Sequence, residues 1–211
     1  MTPKETYYET LAKQLIKKME ARNFGACYCP TKVEALEKAY SFLTPNCSVS
    51  YGGSESLKEI GLISALASSD FTVYDRASAK TEEEKRELFG KIVTSDVFFT
   101  SANAITAAGE LVNIDGSGNR VACLIHGPKQ VVVVASLNKV CPDVDTAIKR
   151  IRQIACPQNA VRLNLSTPCG SLATCAECLN EETMCCHIVT TRASRIKGRI
   201  QIILVGEEIG Y

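Results

Sequence analysis

The stretch Cys47-Ser-Val-Ser-Tyr51-Gly52-Gly53-Ser54 places a short extended run directly before a glycine turn, and apolar residues recur at helical spacing after it. The same order of strand and helix stands on either side of this stretch. Residues 24–29 and 71–74 each form a strand-like run, followed by a Thr-x-x-Glu signature that favours a helix start. Strands that alternate with helices at this interval predict a parallel sheet covered by helices on both faces.

Three apolar runs in the middle of the chain follow one another too closely to leave room for helices between them. They cover residues 111–114, 121–125 and 131–135. We expect them to pair as antiparallel strands, with Asp115–Asn119 as a turn between the first two. The whole pattern predicts an α/β fold with a mainly parallel sheet flanked by helices and an inserted antiparallel segment.

The two ends of the chain complete this fold. Apolar positions in residues 4–19 recur at helical spacing, and residues 199–205 are nearly all apolar, as in a central strand. A helix that begins near Asp143 is expected to end before Pro157, because a proline disfavours helical backbone in the residue before it. With no recognisable linker, residues 1–211 are expected to form a single domain.

The charge balance narrows the classes of partner. Lys and Arg number 24 and Asp and Glu number 23, so the chain offers no basic field for nucleic acid. The polar N-terminus does not resemble a signal peptide, and no segment approaches the length of a membrane span. We therefore expect a cytoplasmic protein without membrane insertion. In that reducing compartment, 11 cysteines predict metal ligands, reactive thiols or core residues rather than disulfides.

Cysteines are concentrated in residues 167–187, a predicted loop that we call the cysteine loop. The Cys175-x-x-Cys178 pair lets two thiolates converge on one metal, and Cys169 and Cys185 can complete a four-thiolate shell. We therefore predict a metal site there. The alternatives are a redox dithiol at the Cys-x-x-Cys pair, a disulfide, or buried thiols that behave as small apolar side chains.

Polar residues gather after the predicted strands, at the sheet edge where open α/β folds bind ligands. The glycine turn offers backbone N–H groups to an anion, and Arg120 can hold a carboxylate or phosphate. The alternative interpretation is that each of these residues, taken singly, belongs to a structural turn or carries a solvent-facing charge. Glu110 is the best-placed acid or base, and hence the candidate catalytic residue. The candidate substrate-binding residues are Gly52, Gly53, Ser54, Asn103, Asn113, Arg120, Asn138 and Lys139.

Several of these motifs together resemble the LUD-domain family of lactate-utilisation proteins, also called DUF162. The resemblance covers about residues 11–211 and indicates the short, stand-alone form with a cysteine-rich loop. The segments that carry it are Tyr51–Ser54, Thr100–Thr106, Gly109–Arg120, Gly127-Pro128, Asn138-Lys139, Thr167–Cys169, Cys175-x-x-Cys178 and Val205–Gly210.

The resemblance implies a fold similar to ribose-5-phosphate isomerase, glucosamine-6-phosphate deaminase and the CoA transferases. It also implies a link to the oxidation of lactate to pyruvate within an iron–sulfur electron-transfer complex. The implied cofactor is an iron–sulfur cluster of the [4Fe–4S] type, with zinc as the alternative. The family's metal-ligand positions correspond to Cys169, Cys175, Cys178 and Cys185.

One position departs from the family pattern. Ala107-Ala108 stands where an acidic residue is expected before Gly109. The expectation for acid–base chemistry therefore rests on Glu110.

Two functions remain in view. The first is an oxidoreductase subunit that takes part in iron–sulfur-dependent oxidation of lactate or a related 2-hydroxy acid. The alternative is a non-redox protein that binds an anionic or phosphorylated metabolite, or an isomerase- or transferase-like enzyme, with a structural zinc site. The expected partners are a small anionic metabolite and iron–sulfur or redox subunits, and a homodimer is a further candidate assembly.

Overall fold

Apolar, β-branched runs form a six-stranded sheet in which all paired neighbours are parallel. The structure is a computed structural model that describes residues 2–211. The central strands are buried on both faces, which explains their continuous apolar sequences. In spatial order the strands are β1 (Gly25–Cys29), β10 (Ile200–Val205), β7 (Gln130–Ser136), β4 (Val97–Thr100), β2 (Ser48–Tyr51) and β3 (Thr72–Tyr74).

Helices cover both faces of this sheet, as the strand–helix alternation predicts. Because side chains alternate along a strand, Phe98 packs into the core on one face and Phe99 into the core on the other. Helices α1, α5 and α6 contribute to the first core, and α2, α3 and α4 to the second. Their bounds are α1 (Pro3–Glu20), α2 (Lys32–Tyr40), α3 (Glu55–Glu59), α4 (Leu62–Ala67), α5 (Glu82–Val93) and α6 (Asn119–Ile125).

Side chains that the sequence marks as helix starts do cap these helices. The hydroxyl groups of Thr31, Ser54 and Thr81 each accept a hydrogen bond from the backbone N–H three residues later. Thr81 and Glu84 form a complete, reciprocal capping box. None of the helices in residues 2–211 is long and apolar enough to cross a membrane.

The inserted antiparallel segment exists as a separate four-stranded sheet. Its order is β8 (Val140–Cys141), β5 (Ala104–Thr106), β6 (Leu111–Asp115) and β9 (His187–Thr191). Strand β6 pairs antiparallel with β5 and β9, whereas β5 and β8 are parallel. This sheet packs on the helical segment α7 (Val144–Arg150), which continues through a π turn (Ile151–Ala155) into α8 (Cys156–Arg162).

Two of the three runs predicted to be antiparallel strands are placed differently. Residues 121–125 belong to helix α6, and the segment Asp115–Asn119 is a turn from strand to helix, because Gly118 takes a positive φ of 78° just before that helix. A short apolar run cannot be assigned to strand or helix by periodicity alone. Residues 131–135 do form a strand, but it lies parallel inside the main sheet.

The prediction that a helix ends before Pro157 is also wrong. Helical backbone runs from Val144 to Arg162, and Pro157 stands at the start of α8. In a regular α-helix a proline removes one hydrogen bond and clashes with the carbonyl four residues earlier. The π turn over Ile151–Ala155, in which hydrogen bonds span five residues instead of four, changes the backbone hydrogen bonding immediately before the proline.

Candidate functional site

A cleft with a volume of about 470 Å³ opens at the carboxyl edge of the main sheet. Residues that lie one to five positions after the ends of β2, β4, β7 and β10 line one wall, as expected for an open α/β fold. Helix α8 and part of the cysteine loop form a second wall. The lining includes Gly53, Ser54, Ser56, Arg76, Ser101, Asn103, Asp115, Arg120, Lys139, Asn159, Arg162, Thr183, Met184, Gly210 and Tyr211.

Arg120 organises the first wall from a buried position, with its side chain 14% exposed. Its Nη1 donates to Asn113 Oδ1 at 2.7 Å and to the Ser101 carbonyl at 3.1 Å. Its Nη2 donates to Asn103 Oδ1 at 3.0 Å and to the Ile114 carbonyl at 2.9 Å, and Nε donates to Asp115 Oδ2 at 3.1 Å. All five N–H groups of the guanidinium are therefore engaged within the protein.

This network bears on three predicted substrate-binding residues. Asn103 and Asn113 direct their amide oxygens to the Arg120 guanidinium, which keeps no free N–H group for a ligand in this arrangement. Burial lowers the pKa of Arg120, and the neighbouring Asp115 opposes that shift. Arg120 thus contributes positive charge and rigidity to the wall rather than an open fork.

The glycine turn fits closely around this guanidinium. A side chain at Gly52 would place its Cβ 3.2 Å from the Arg120 side chain, and the Gly52 N–H donates to the Phe99 carbonyl at 2.9 Å. Gly53 and Ser54 line the cleft. The Ser54 hydroxyl caps helix α3, accepting from the Leu57 N–H at 3.3 Å. The turn therefore supports Arg120 and presents its second and third residues to the cleft.

Lys139 lies in the wall of the same cleft and is only 3% exposed. Its Nζ donates to Ser56 Oγ at 2.8 Å and to Ser101 Oγ at 3.3 Å. Burial, followed by the charges of Arg150 and Arg120, lowers the pKa of Lys139 to about 7, and Glu59 partly opposes this. Among residues 2–211, Lys139 makes no ion pair with a carboxylate.

Asn138 precedes Lys139 without joining the cleft lining described above. Its carbonyl accepts from Arg150 Nη2 at 3.4 Å, and its N–H donates to Ser136 Oγ at 3.4 Å. Its Oδ1 is buried without a hydrogen-bond partner in the described part of the chain.

The cysteine loop brings some of its thiols together with one from outside it. Cys156, at the start of α8, places its Sγ 3.5 Å from Cys185 Sγ. The hydrogen bond from Cys156, with help from Arg152, lowers the pKa of Cys185 to about 7, against the effect of burial. The pKa of Cys156 is raised by the Cys185 bond, by burial, and by the charges of Cys185, Cys169 and Cys175. These four thiols therefore share one neighbourhood.

The predicted metal ligands lie at different depths. Cys169 is buried with its Sγ 3.4 Å from Thr167 Oγ1, whereas Cys175, Cys178 and Cys185 are half-buried. In residues 2–211, no three His, Cys, Asp or Glu side chains form a ready-made metal site. The donor set is nevertheless chemically suited to iron–sulfur or zinc, which soft thiolates bind well. No helix or strand fixes the backbone between α9 (Pro168–Leu172) and β9.

The cysteine loop also forms part of the cleft. Thr183 and Met184 line it, and Asn159 Nδ2 donates to Met184 Sδ at 3.2 Å. Cys185 follows Met184 directly, and its side chain packs against the apolar cluster formed by the second sheet and the helical segment from α7 to α8. The carboxyl edge of the sheet and the cysteine loop thus meet across one cavity.

Comparisons with known proteins identify the family. The family profile described as LUD domain matches residues 12–205. The chain belongs to the LUD domain family. This confirms the resemblance seen in the sequence motifs. No curated protein matches the chain.

One solved structure agrees with this fold over nearly its whole length, and two others match about half of the chain. A crystal structure of a DUF162 family protein from Deinococcus radiodurans matches with a TM-score of 0.56 at 11% identity, covering 94% of this chain and 98% of that one. Ribose 5-phosphate isomerase A from Neisseria gonorrhoeae matches 53% of each chain at 19% identity, with a TM-score of 0.35. The isomerase from Plasmodium falciparum covers 53% of this chain and 52% of its own at 17% identity, with a TM-score of 0.34.

Glu110, the candidate acid or base, does not line the main cleft of this LUD domain. Its Oε1 lies 3.5 Å from Arg22 Nη1, and its Oε2 accepts from Thr106 Oγ1 at 3.1 Å. It therefore stands apart from Arg120 and Lys139. Its catalytic role stays a prediction, and the cleft offers other groups for chemistry.

Sequence reasoning missed several residues that the LUD-domain cleft contains. Arg162 lies on a helix that was expected to end earlier, and its Nε donates to Tyr211 Oη at 2.9 Å. Cys156, 13 positions before the first loop cysteine, was assigned no function because it borders a predicted helix. Ser56 and Ser101 carried a usable signal, since both stand just after predicted strands, but serine alone indicates no particular chemistry.

Proposed function

We propose that this chain takes part in the redox conversion of lactate or a related 2-hydroxy acid, with the acid bound in the cleft and an iron–sulfur cluster held by the cysteine loop. The observation that carries this proposal is the shared cavity: Thr183 and Met184 of the loop line the same cleft as Lys139. Membership of the LUD domain family supports a role in lactate utilisation. A redox partner subunit with a two-electron acceptor is part of the proposal, because oxidation of the hydroxy acid releases two electrons and two protons and the cluster carries one electron at a time.

The charge of the cleft favours a small anion. Arg76, Arg162, Arg120 and Lys139 line it, against the two acidic residues Glu55 and Asp115. Asp115 is bonded to Arg120, and Glu55 Oε1 lies 3.6 Å from Arg162 Nε. Arg76 and Lys139 therefore lack an acidic partner among residues 2–211. The unpaired Arg76 guanidinium favours a carboxylate, which lactate and its oxidised form both carry.

The thiols of the loop suit the proposed cluster. Cys169, Cys175, Cys178 and Cys185 would hold it, and when bound it would supply one-electron transfer. The lowered pKa of Cys185 favours the thiolate form that ligation requires. Cys156 remains a close neighbour of Cys185. The remaining chemistry falls to the chain's own residues, which bind the carboxylate and orient the hydroxyl-bearing carbon in a partly enclosed space.

Metal analysis after purification without oxygen tests this proposal. We expect stoichiometric iron and sulfide, and a visible absorbance that bleaches with dithionite. Cys185→Ser should lower the affinity for the metal by more than about 10-fold to 100-fold, the typical cost of losing an outer-shell partner. The iron bound per chain should fall accordingly. Cys186→Ser is the matched control, because Cys186 is exposed and outside the proposed ligand set, and it should retain the metal.

A different metal would decide against redox chemistry. Colourless protein with stoichiometric zinc, no iron after oxygen-free purification and no response to dithionite would favour the alternative function. In that case the cleft would serve a non-redox reaction or the binding of an anionic metabolite, and the loop would be a structural zinc site.

A further inference from the structure

The chemical setting of Lys139 sets it apart from the other lysines of the chain. A lysine this buried is ordinarily paired with a carboxylate, because an isolated buried charge is costly. Lys139 instead places its Nζ against the hydroxyl groups of Ser56 and Ser101. Its nearby charges are the cations Arg150 and Arg120, with Glu59 as the opposing acid. This environment favours a neutral amine over an ammonium.

The position of the amine makes it available to a ligand. Lys139 lines the cleft together with Ser56 and Ser101, and its amine contacts both of their hydroxyl groups. Gly210 covers the amine from the C-terminal side, where a Cβ would lie 2.9 Å from Lys139 Nζ. The Gly210 backbone therefore closes this side of the amine, and the side towards the cleft is the one open to a ligand. The arrangement is that of a nucleophile in a confined, cationic pocket.

We propose that Lys139 forms an imine with the carbonyl carbon of a small 2-oxo acid bound in the cleft. This inference rests on the proposed function, because a 2-oxo acid is the oxidised form of the 2-hydroxy acid assigned to the cleft. The carboxylate of the oxo acid is held by the cationic lining, of which Arg76 lacks an acidic partner among residues 2–211. The carbonyl carbon next to it can then face Nζ.

The reaction needs no further reactant. The Nζ lone pair attacks the carbonyl carbon, a C–N bond forms, and the carbonyl oxygen takes up a proton that leaves the nitrogen. Loss of this hydroxyl group with a second proton from nitrogen releases water and leaves a C=N bond. Ser56 and Ser101 each stand within hydrogen-bond distance of Nζ and can pass these protons.

Reductive trapping tests the imine directly. The full-length protein is incubated with pyruvate and borohydride, and its intact mass and proteolytic peptides are measured. We expect one added reduced pyruvate per chain, located on Lys139. Lactate, which has no carbonyl group at that carbon, should give no increment. An adduct that maps to exposed lysines, or no adduct at all, overturns the inference.

Matched variants separate the site from general lysine reactivity. Lys139→Met should abolish the increment, whereas Lys149→Met, at an exposed position of α7, should retain it. If Lys139→Met does not fold, the peptide map of the wild-type protein still decides. The trapping rate should rise with pH through a midpoint near 7, because the neutral amine is the nucleophile. A midpoint in the range of an ordinary lysine would contradict the buried site.

Calorimetry with pyruvate distinguishes failure of the imine from failure of the proposed function. If pyruvate binds but cannot be trapped on Lys139, the imine is wrong and the anion-binding cleft stands. If neither pyruvate nor lactate binds, both proposals are overturned.

Discussion

The two walls of the cleft are held in place by different means. On the sheet side, the buried guanidinium of Arg120 makes five hydrogen bonds to groups from β6 and the turns beside it. On the other side, the backbone between Leu172 and His187 contains no helix or strand. Its ion pair from Arg152 to Glu177 is solvated, with the Glu177 side chain 75% exposed.

This difference indicates a division of roles. A wall fixed by a fully satisfied buried network presents charge in a set geometry and binds without reorganising. A loop fixed by few buried contacts can open and close locally at low cost, which would suit the proposed arrangement of its thiols around a metal. We therefore expect substitutions in the sheet-side wall to lower the free energy of unfolding. Substitutions in the cysteine loop should mainly lower the amount of the proposed metal that is bound.

The largest expected effect follows from removing Arg120. Arg120→Met leaves the Asp115 carboxylate buried without its partner, and we expect a loss of about 3–5 kcal/mol in the free energy of unfolding. Urea denaturation gives the value. Arg120→Lys should recover only part of it, because an ammonium cannot reproduce the planar fork. Arg86→Met, on the exposed face of α5, is the control, and an equal loss there would remove the contrast between the walls.

A smaller effect is expected at Gly210, which also belongs to the sheet-side wall. Its φ is 58°, and a Cβ would lie close to Ser56 Oγ and Lys139 Nζ. Gly210→Ala should lower the free energy of unfolding by about 1–3 kcal/mol, the cost of a left-handed residue with a steric conflict. Thermal melting followed by circular dichroism measures it. Gly53→Ala is the matched control, since no atom lies within 4 Å of a Cβ there.

The smallest effect is expected in the loop. Glu177→Gln breaks the ion pair with Arg152, and the free energy of unfolding should change by less than about 1 kcal/mol because both groups remain solvated. The same urea experiment measures this change. A loss as large as that of Arg120→Met would mean that the loop is as firmly fixed as the sheet-side wall, and the division of roles would be wrong.

The order of strands and helices was predictable because it depends on local signals. Each strand–helix unit of the first half carries a short apolar run and a capping residue within about a dozen positions, and both are visible in the sequence. The prediction of a strand in place of α6 was wrong because such local signals are missing there. Its seven residues are too few to show a helical period, and Val121, Cys123 and Leu124 are all buried.

For the candidate site, the sequence indicated some of the residues that meet there, but not how their side chains are arranged. Lys139, Asn103 and Arg120 do meet at the sheet edge, because the carboxyl ends of parallel strands converge there. That all five Arg120 donors are engaged depends on side-chain packing, which no spacing rule conveys. The burial of Lys139 and the position of Glu110 outside the cleft likewise depend on how distant segments of the chain pack together.

The π turn over Ile151–Ala155 sets the angular relation between the cleft and the thiols. Each residue of a helix advances its side chains by about 100°, so one extra residue in a turn rotates everything after it by that amount. With this offset, Arg162 reaches the cleft while Cys156 reaches Cys185. Deleting one residue there would keep every side chain of α8 and still turn both away from their present neighbours. The alignment of the cleft and the thiols is therefore encoded in the number of residues in this segment, independently of which side chains they carry.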